Sequence, residues 1–459
     1  MRKSSLLLAL MSLALLSVFS ILPGCGGDKD VAFYSDAGTD TTDYTPVETS
    51  GRQSFGVVAF TSGGIGIIDG KTKTVAGPLL NTELGSSPKF DVVISPDGKT
   101  TLVSSYYAQR VFFIDTSNPS SPAVKGSVEI GFSGGDMDIT PDGRYALVTG
   151  SGMNGKVILV SNGMASKIAV LDVAAMSLVN VYDEYNKSGE IQVLRSHDSV
   201  AVASDGKTVL TTDYYNRQVH ALLLCENGQL TFVCSTDVSN SGTLYPVNLA
   251  ISPDGKTAIV ASAIARAFTI ESINQIEQLP SEGLSFPVLT ILAPGVVKLV
   301  NYVTPCISQK VKPDMNLAAA QSIIFNRAGT KAYLYCRDYA DYNPFPDAKG
   351  TESLVDSTSN TMIIALNILA QGIAMDAGTP WDVGFYAMSE SLGIDTLALD
   401  YDNNRLWISN MIYGGQTYLQ VLDVKTGLVV KTIIFDPELL GLPSDDVEYQ
   451  PFGLYYWND

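Results

Sequence analysis

Short apolar strands separated by one recurring turn organise most of the chain. The segment Asp91-Val-Val-Ile-Ser-Pro-Asp-Gly-Lys99 matches Asp136-Met-Asp-Ile-Thr-Pro-Asp-Gly-Arg144. It also matches Ser199-Val-Ala-Val-Ala-Ser-Asp-Gly-Lys207 and Asn248-Leu-Ala-Ile-Ser-Pro-Asp-Gly-Lys256. Weaker copies run over residues 322–330 and 396–404. In each copy, apolar residues two apart predict a strand. Pro then presets φ at the turn's second position, Asp bonds locally, and Gly accepts positive φ. A second strand follows, as at 101–104 and 332–335, and a third often ends in Asp, at Asp115, Asp172 and Asp423. A fourth follows a Lys-Thr-Gly-type turn, as at 428–434.

Four antiparallel strands per repeat predict an all-β fold made of β-propeller blades. The two ends supply a seventh blade. Residues 55–60, 65–69 and 75–79 read as second, third and fourth strands with no first, and 452–457 reads as a first strand with nothing after it. Pairing them closes a seven-bladed ring of four-stranded antiparallel blades and removes free sheet edges. Two residues before each turn proline or its equivalent stand Ile94, Ile139, Val202, Ile251, Phe325, Leu399 and Tyr456. Four before stand Val92, Met137, Val200, Leu249, Ile323, Leu397 and Leu454. Both rows are apolar, as strands sandwiched between blades require. Residues 277–320 and 342–359 read as insertions that cap one face, since long loops on a rigid scaffold often carry binding.

The Ser-Pro-Asp-Gly-Lys repeat followed by Val-x-x-Ile-Asp-Thr resembles the YVTN-type β-propellers of secreted and surface-layer proteins, and the wider lactonase-like seven-bladed set. The resemblance covers roughly residues 55–459 and rests on turn and core positions. It implies the fold and no single reaction, because these propellers include binding modules as well as enzymes.

The N-terminus reads as an address. Arg2 and Lys3 precede an apolar run to Leu22, the n- and h-regions of a secretory signal. Leu22-Pro23-Gly24-Cys25 then resembles the lipobox of bacterial lipoproteins, in which the Cys is acylated. Residues 1–24 are thus expected to be a signal peptide, 25–52 a lipidated Cys25 and flexible polar tether, and 53–459 the propeller. The expected location is the cell envelope, anchored by lipid to the outer membrane or cell surface. Cys225, Cys234, Cys306 and Cys336 remain, and outside the cytosol they are free to form disulfides whose pairing spacing does not fix. A two-residue Asn227-Gly228 loop would set Cys225 opposite Leu230 and Cys234 opposite Ala221, too far apart to bridge.

Charge narrows the partners. With 29 Lys and Arg against 47 Asp and Glu, the net charge is -18, and no basic excess is available for nucleic acid. The partner expected at the face is a protein, a glycan or a small ligand, with the chain itself a monomer.

Five residues before the turn proline the pattern turns polar or small: Asp91, Asp136, Ser199, Asn248, Ser322, Thr396 and Gly453. These start the innermost strands and should ring one mouth of the channel, with Asp138, Asp198, Gln321 and Asp395 beside them. Converging carboxylates and amides suit Ca²⁺, so Asp91, Asp136, Asp138, Asn248 and Asp395 are candidate metal ligands. Propeller lactonases of the gluconolactonase and paraoxonase type are similar in holding a metal there, which makes a metal-dependent hydrolase the alternative to a binding module. A hydrated polar funnel is the bland reading of the same row. His197 beside Asp198 is a candidate base, whereas His220 falls on a third strand, away from the axis. Tyr106, Tyr107, Tyr214, Tyr215, Arg217, Tyr339 and Tyr413 lie in loops that open on the same face, and aromatic and Arg rims suit recognition. No H-E-x-x-H, P-loop or C-x-x-C motif occurs.

Overall fold

A computed structural model describes residues 54–60, 64–85, 89–106, 108–151, 166–183, 199–214, 216–264, 285–303, 317–338, 358–369, 372–375, 381–387, 397–410, 417–435 and 451–458. Residues Val47–Asp459 form one compact unit, and the other, Met1–Pro46, lies wholly outside the described residues. The signal, Cys25 and the tether therefore lie outside them too.

The fold is a seven-bladed β-propeller of four-stranded antiparallel blades. We number the blades by their inner strands: Lys89–Ile94, Ser133–Ile139, Val200–Val202, Leu244–Ile251, Leu317–Phe325, Leu397–Asp400 and Pro451–Trp457. Blade 7 joins the chain's two ends. Its inner strand pairs with Phe55–Phe60 in the register Phe55↔Trp457 to Val58↔Leu454, as the sequence pattern requires. Blades 4 and 5 share one sheet through the single pair Ala263↔Ala319. In blade 5 the long third strand Thr358–Leu369 meets two short outer strands, Gly372–Met375 and Trp381–Ala387, in place of one.

Apolar burial explains the arrangement. The core is a set of seven apolar clusters, each built between two neighbouring blades. Both faces of a blade are thus covered, which is why its strands read as nearly continuous apolar runs. Val92, Ile94, Met137, Val200, Leu249, Ile323, Leu397 and Leu454 from the two predicted rows are all buried.

The Asp-Gly turns form as read. In blade 1, Gly98 N donates to Ser95 O at 2.7 Å, while Asp97 Oδ1 accepts from Ser95 Oγ at 2.7 Å and Lys99 N at 3.0 Å. Gly98 has φ of 67°, and an added Cβ would lie 2.7 Å from the Trp457 ring. The turn therefore needs glycine for backbone and for space.

Two expectations change. Much of 277–320 is not insertion: Phe286–Ala293 and Val296–Val303 are the third and fourth strands of blade 4. Pro294-Gly295 made the short turn between them, and the missing Asp-Gly signature hid it. The second segment, 342–359, lies almost wholly outside the described residues. The hairpin after Cys225 also differs: Leu230 pairs with Leu224, not Cys225, because Cys225–Gln229 forms a longer turn. A bulge between Ala221 and Leu222 restores Ala221↔Cys234. Cys234 and Cys336 are free thiols, and Cys225 is disulfide-bonded to a partner outside the described residues.

Candidate functional site

An inner strand has one neighbour strand and presents its other edge to the axis, where backbone N–H groups need acceptors. The mouth row supplies them across the blade boundaries. Asp91 Oδ2 in blade 1 accepts from Met137 N in blade 2 at 2.8 Å. Asp136 Oδ2 accepts from Val200 N in blade 3 at 2.8 Å, and Asp138 Oδ2 from Val202 N at 2.7 Å. Asp138 Oδ1 also takes Ile139 N at 2.8 Å.

Strand bulges make this reach available. Pairing with the second strand slips between Lys89 and Val92, Gly134 and Met137, Pro246 and Asn248, and Ala320 and Ser322. The slip coincides with the mouth row, so the N–H groups it frees turn to hydroxyls on the second strand. Asp91 N donates to Ser104 Oγ at 3.0 Å, and that hydroxyl donates to Gly135 O at 3.0 Å. In blade 3, whose inner pair runs without a slip, Ser199 N likewise donates to Thr212 Oγ1 at 3.1 Å, whose own partner is Val247 O at 3.5 Å. Thr149 Oγ1 bonds Asp136 O at 3.2 Å. These hydroxyls were not singled out from the sequence. The available signal was Ser104, Thr149 and Thr212 standing at one place in three successive second strands.

The carboxyls crowd one another in half-buried positions. Burial, then the neighbouring charge of Asp136, pushes the Asp91 carboxyl well above the usual carboxylate range. Burial raises Asp136 as well, despite the N–H of Val200. One proton shared between the two relieves their repulsion. Burial pushes Asp138 up to about 7. Burial raises the Tyr455 hydroxyl on blade 7, and the charges of Asp138, Tyr401 and Asp91 add to the shift.

Among the described residues, no three His, Cys, Asp or Glu side chains are arranged to hold a metal ion. Asn248 is half-buried on the blade 4 inner strand, and Asp395 lies outside the described residues. His197, Asp198, Tyr107, Tyr215, Tyr339 and Tyr413 also lie outside them.

Tyr106, Tyr214 and Arg217 are half-buried in the loops between second and third strands. Tyr214 stacks on Tyr245 with ring centroids 4.7 Å apart and planes at 28°. The Arg217 guanidinium lies 4.4 Å from the Tyr245 centroid, and its Nη2 donates to Tyr245 Oη at 2.5 Å. Tyr245 opens an inner strand, a position that nothing in the repeat marks as aromatic. Beneath this turn, Asp213, His220 and Ser235 form a chain on blade 3. His220 Nε2 lies 2.9 Å from Asp213 Oδ2, and Nδ1 lies 2.8 Å from Ser235 Oγ. Burial would raise the Asp213 carboxyl, but hydrogen bonds from His220 and Asn216 hold it below its ordinary value. His220 sits on a third strand away from the axis, as expected.

The class these features define is a seven-bladed β-propeller, and solved propellers resemble it in fold. A functionally unknown protein from Desulfotomaculum acetoxidans is 18% identical with a TM-score of 0.55, covering 83% of this chain and 95% of its own. The periplasmic gluconolactonase of Pseudomonas aeruginosa is 16% identical with a TM-score of 0.52, covering 88% and 99%. A putative 6-phosphogluconolactonase from Bacteroides fragilis is 14% identical with a TM-score of 0.54, covering 89% and 99%. At these identities the likeness is one of fold. No protein-family model and no curated protein matches the chain.

Proposed function

We propose that this chain is an exported, lipid-anchored propeller that binds a protein, glycan or small ligand on the face where its inner strands begin. The observation that carries this is the employment of the mouth acids. Asp91, Asp136 and Asp138 each accept a backbone N–H of the following blade, so they serve as clasps between blades. Recognition then falls to the rim loops, where Tyr and Arg side chains stand on a rigid scaffold. The bonded Cys225 supports export, because disulfides persist outside the reducing cytosol. Growth with a palmitate analogue should label the protein, and Cys25→Ser should abolish the label. An unlabelled wild-type chain would remove the anchor from the proposal. Binding is tested by presenting the immobilised protein with envelope extract and a glycan array. Equal signals from the native and heat-denatured protein would sink it.

A second reading is lactone hydrolysis at the channel mouth. It is favoured by Asp138, a carboxyl pushed up to about 7 and thus able to act as acid and base near neutrality. The fold likeness to the Pseudomonas gluconolactonase agrees with it. Turnover of a sugar-lactone panel, abolished in Asp138→Asn while the protein stays folded, would establish it. Ca²⁺ that raises the melting temperature of EDTA-treated protein would assign the metal to this reading.

A further inference from the structure

His220 occupies a place in blade 3 that is apolar in blades 1 and 2. It pairs with Thr211, two places in from the loop-end pair Asp213↔Gln218. By the same register the place holds Phe112 in blade 1, Ile168 in blade 2 and Gln420 in blade 6, all buried. The blade therefore needs no titratable group here. Burying an Asp with a His costs desolvation that Phe avoids.

The acid sets the direction of the bonds. The Asp213 and His220 side chains are fully buried. Burial would raise the Asp213 carboxyl, but hydrogen bonds from His220 and Asn216 hold it below its ordinary value, so it is ionised at neutral pH. An ionised carboxylate only accepts. Asp213 Oδ2, 2.9 Å from His220 Nε2, therefore takes the proton on that nitrogen. In the neutral ring the lone pair is then on Nδ1, which lies 2.8 Å from Ser235 Oγ, and the hydroxyl donates to it. Asn216 N and Nδ2 give the carboxylate two more donors, at 3.0 and 2.7 Å, which fix its orientation.

Ser235 is the open end of this chain. It is exposed on the strand Leu230–Asp237, the last of its sheet. Nucleophile, base and acid thus stand in order, with the nucleophile at the surface. An edge strand leaves every second backbone N–H without a ladder partner, and such groups are donors for an oxyanion. Asp237, two residues on and on the same face, is exposed and disfavours an anionic substrate.

We propose that Ser235, His220 and Asp213 form a hydrolytic triad for neutral carboxylic esters. Ser235 Oγ attacks the carbonyl carbon, and its proton passes to His220 Nδ1. The ester C–O bond breaks, and the alcohol leaves with that proton. Water then attacks the acyl-Ser235 and gives a proton to Nδ1. The acid departs as Nδ1 returns the proton to Oγ. Asp213 is a positioning residue that holds the ring through Nε2 and balances the imidazolium formed in each half. The inference uses neither the mouth acids nor rim recognition.

The test is labelling of the full mature protein in detergent with a fluorophosphonate, which joins its phosphorus to an activated serine oxygen and releases fluoride. Peptide mass spectrometry reads the site. Ser127 is the internal control, because it is exposed at the same place on the outer strand of blade 1, opposite Phe112. Ser235 should be labelled at least about a hundredfold faster than Ser127. His220→Gln installs the blade 6 residue and should lower the Ser235 rate at least about a hundredfold at unchanged melting temperature. The wild type should turn over p-nitrophenyl acetate, and Ser235→Ala, at an exposed position, should abolish turnover. Asp213→Asn should lower kcat with KM unchanged. Should His220→Gln fail to fold, the ratio of Ser235 to Ser127 labelling and the Ser235→Ala comparison decide. No label on Ser235, a rate equal to that of Ser127 or untouched by His220→Gln, or turnover that persists in Ser235→Ala overturns the proposal. The three residues are then a hydrogen-bond chain of the blade alone.

Discussion

Asp138 is both a hydrogen-bond clasp and a misplaced charge. Its two oxygens hold Val202 N and Ile139 N, while burial raises its carboxyl from 3.8 to about 7. A carboxyl raised on folding binds its proton more tightly in the native state. Its contribution to stability is full below the unfolded value and is lost as pH rises through the folded one. Asp91 and Asp136 shift in the same direction. The melting temperature should therefore fall between pH 4 and pH 8. Asp138→Asn keeps an acceptor and discards the charge, so it should flatten that fall and melt higher than wild type at pH 8, with no gain at pH 4. Parallel curves for the two proteins would show that Asp138 is not the titrating group. The sequence placed these acids on the inner strands, because period two fixes which way a strand residue faces. It could not show the backbone N–H of the next blade, which lies 46 or 64 residues away in the chain.

The inner strand Pro451–Trp457 is the element on which closure depends. Trp457 Nε1 donates to Pro96 O of blade 1 at 2.9 Å. Asn458 bonds Leu399 O and Tyr401 N of blade 6, at 2.9 and 2.7 Å. One short segment thus ties its own blade to both neighbours. Gly453 makes the closest approach: an added Cβ would lie 2.8 Å from Asp91 Cα and 2.9 Å from its carbonyl carbon. Backbone cannot yield as a side chain can, so Gly453→Ala should cost at least about 2 kcal/mol, read from urea unfolding. A loss within about 0.5 kcal/mol would mean that the two strands separate freely. The existence of this strand was legible from its Leu-Tyr-Tyr-Trp pattern. Its tightness was not, because Gly453 reads as one more small residue in a polar row.

At the scale of the molecule, stability is divided among seven interfaces arranged in a ring. Leu454 and Tyr456 serve the cluster between blades 6 and 7, and Trp457 serves the one between blades 7 and 1. Deleting 451–459 therefore opens two interfaces and exposes the edge of Phe55–Phe60. The expected outcome is loss of a single cooperative thermal transition, with aggregation on heating. An unchanged melting curve would show that the ring does not need closure.

The sequence alone determined the repeat, the strand faces, the turn chemistry and the pairing of the chain's ends. All of these follow from local propensity and period-two burial, which a linear pattern records directly. It also set Tyr214 and Arg217 in a loop between a second and a third strand, since loop position follows from strand order. Three things were decided only by tertiary structure: the bonding of the inner-strand acids to the next blade, the bulges beside them, and the Tyr245 ring against which the Arg217 guanidinium lies. Each depends on which residues of different blades meet, and blade-to-blade distance is set by the closure of the ring as a whole.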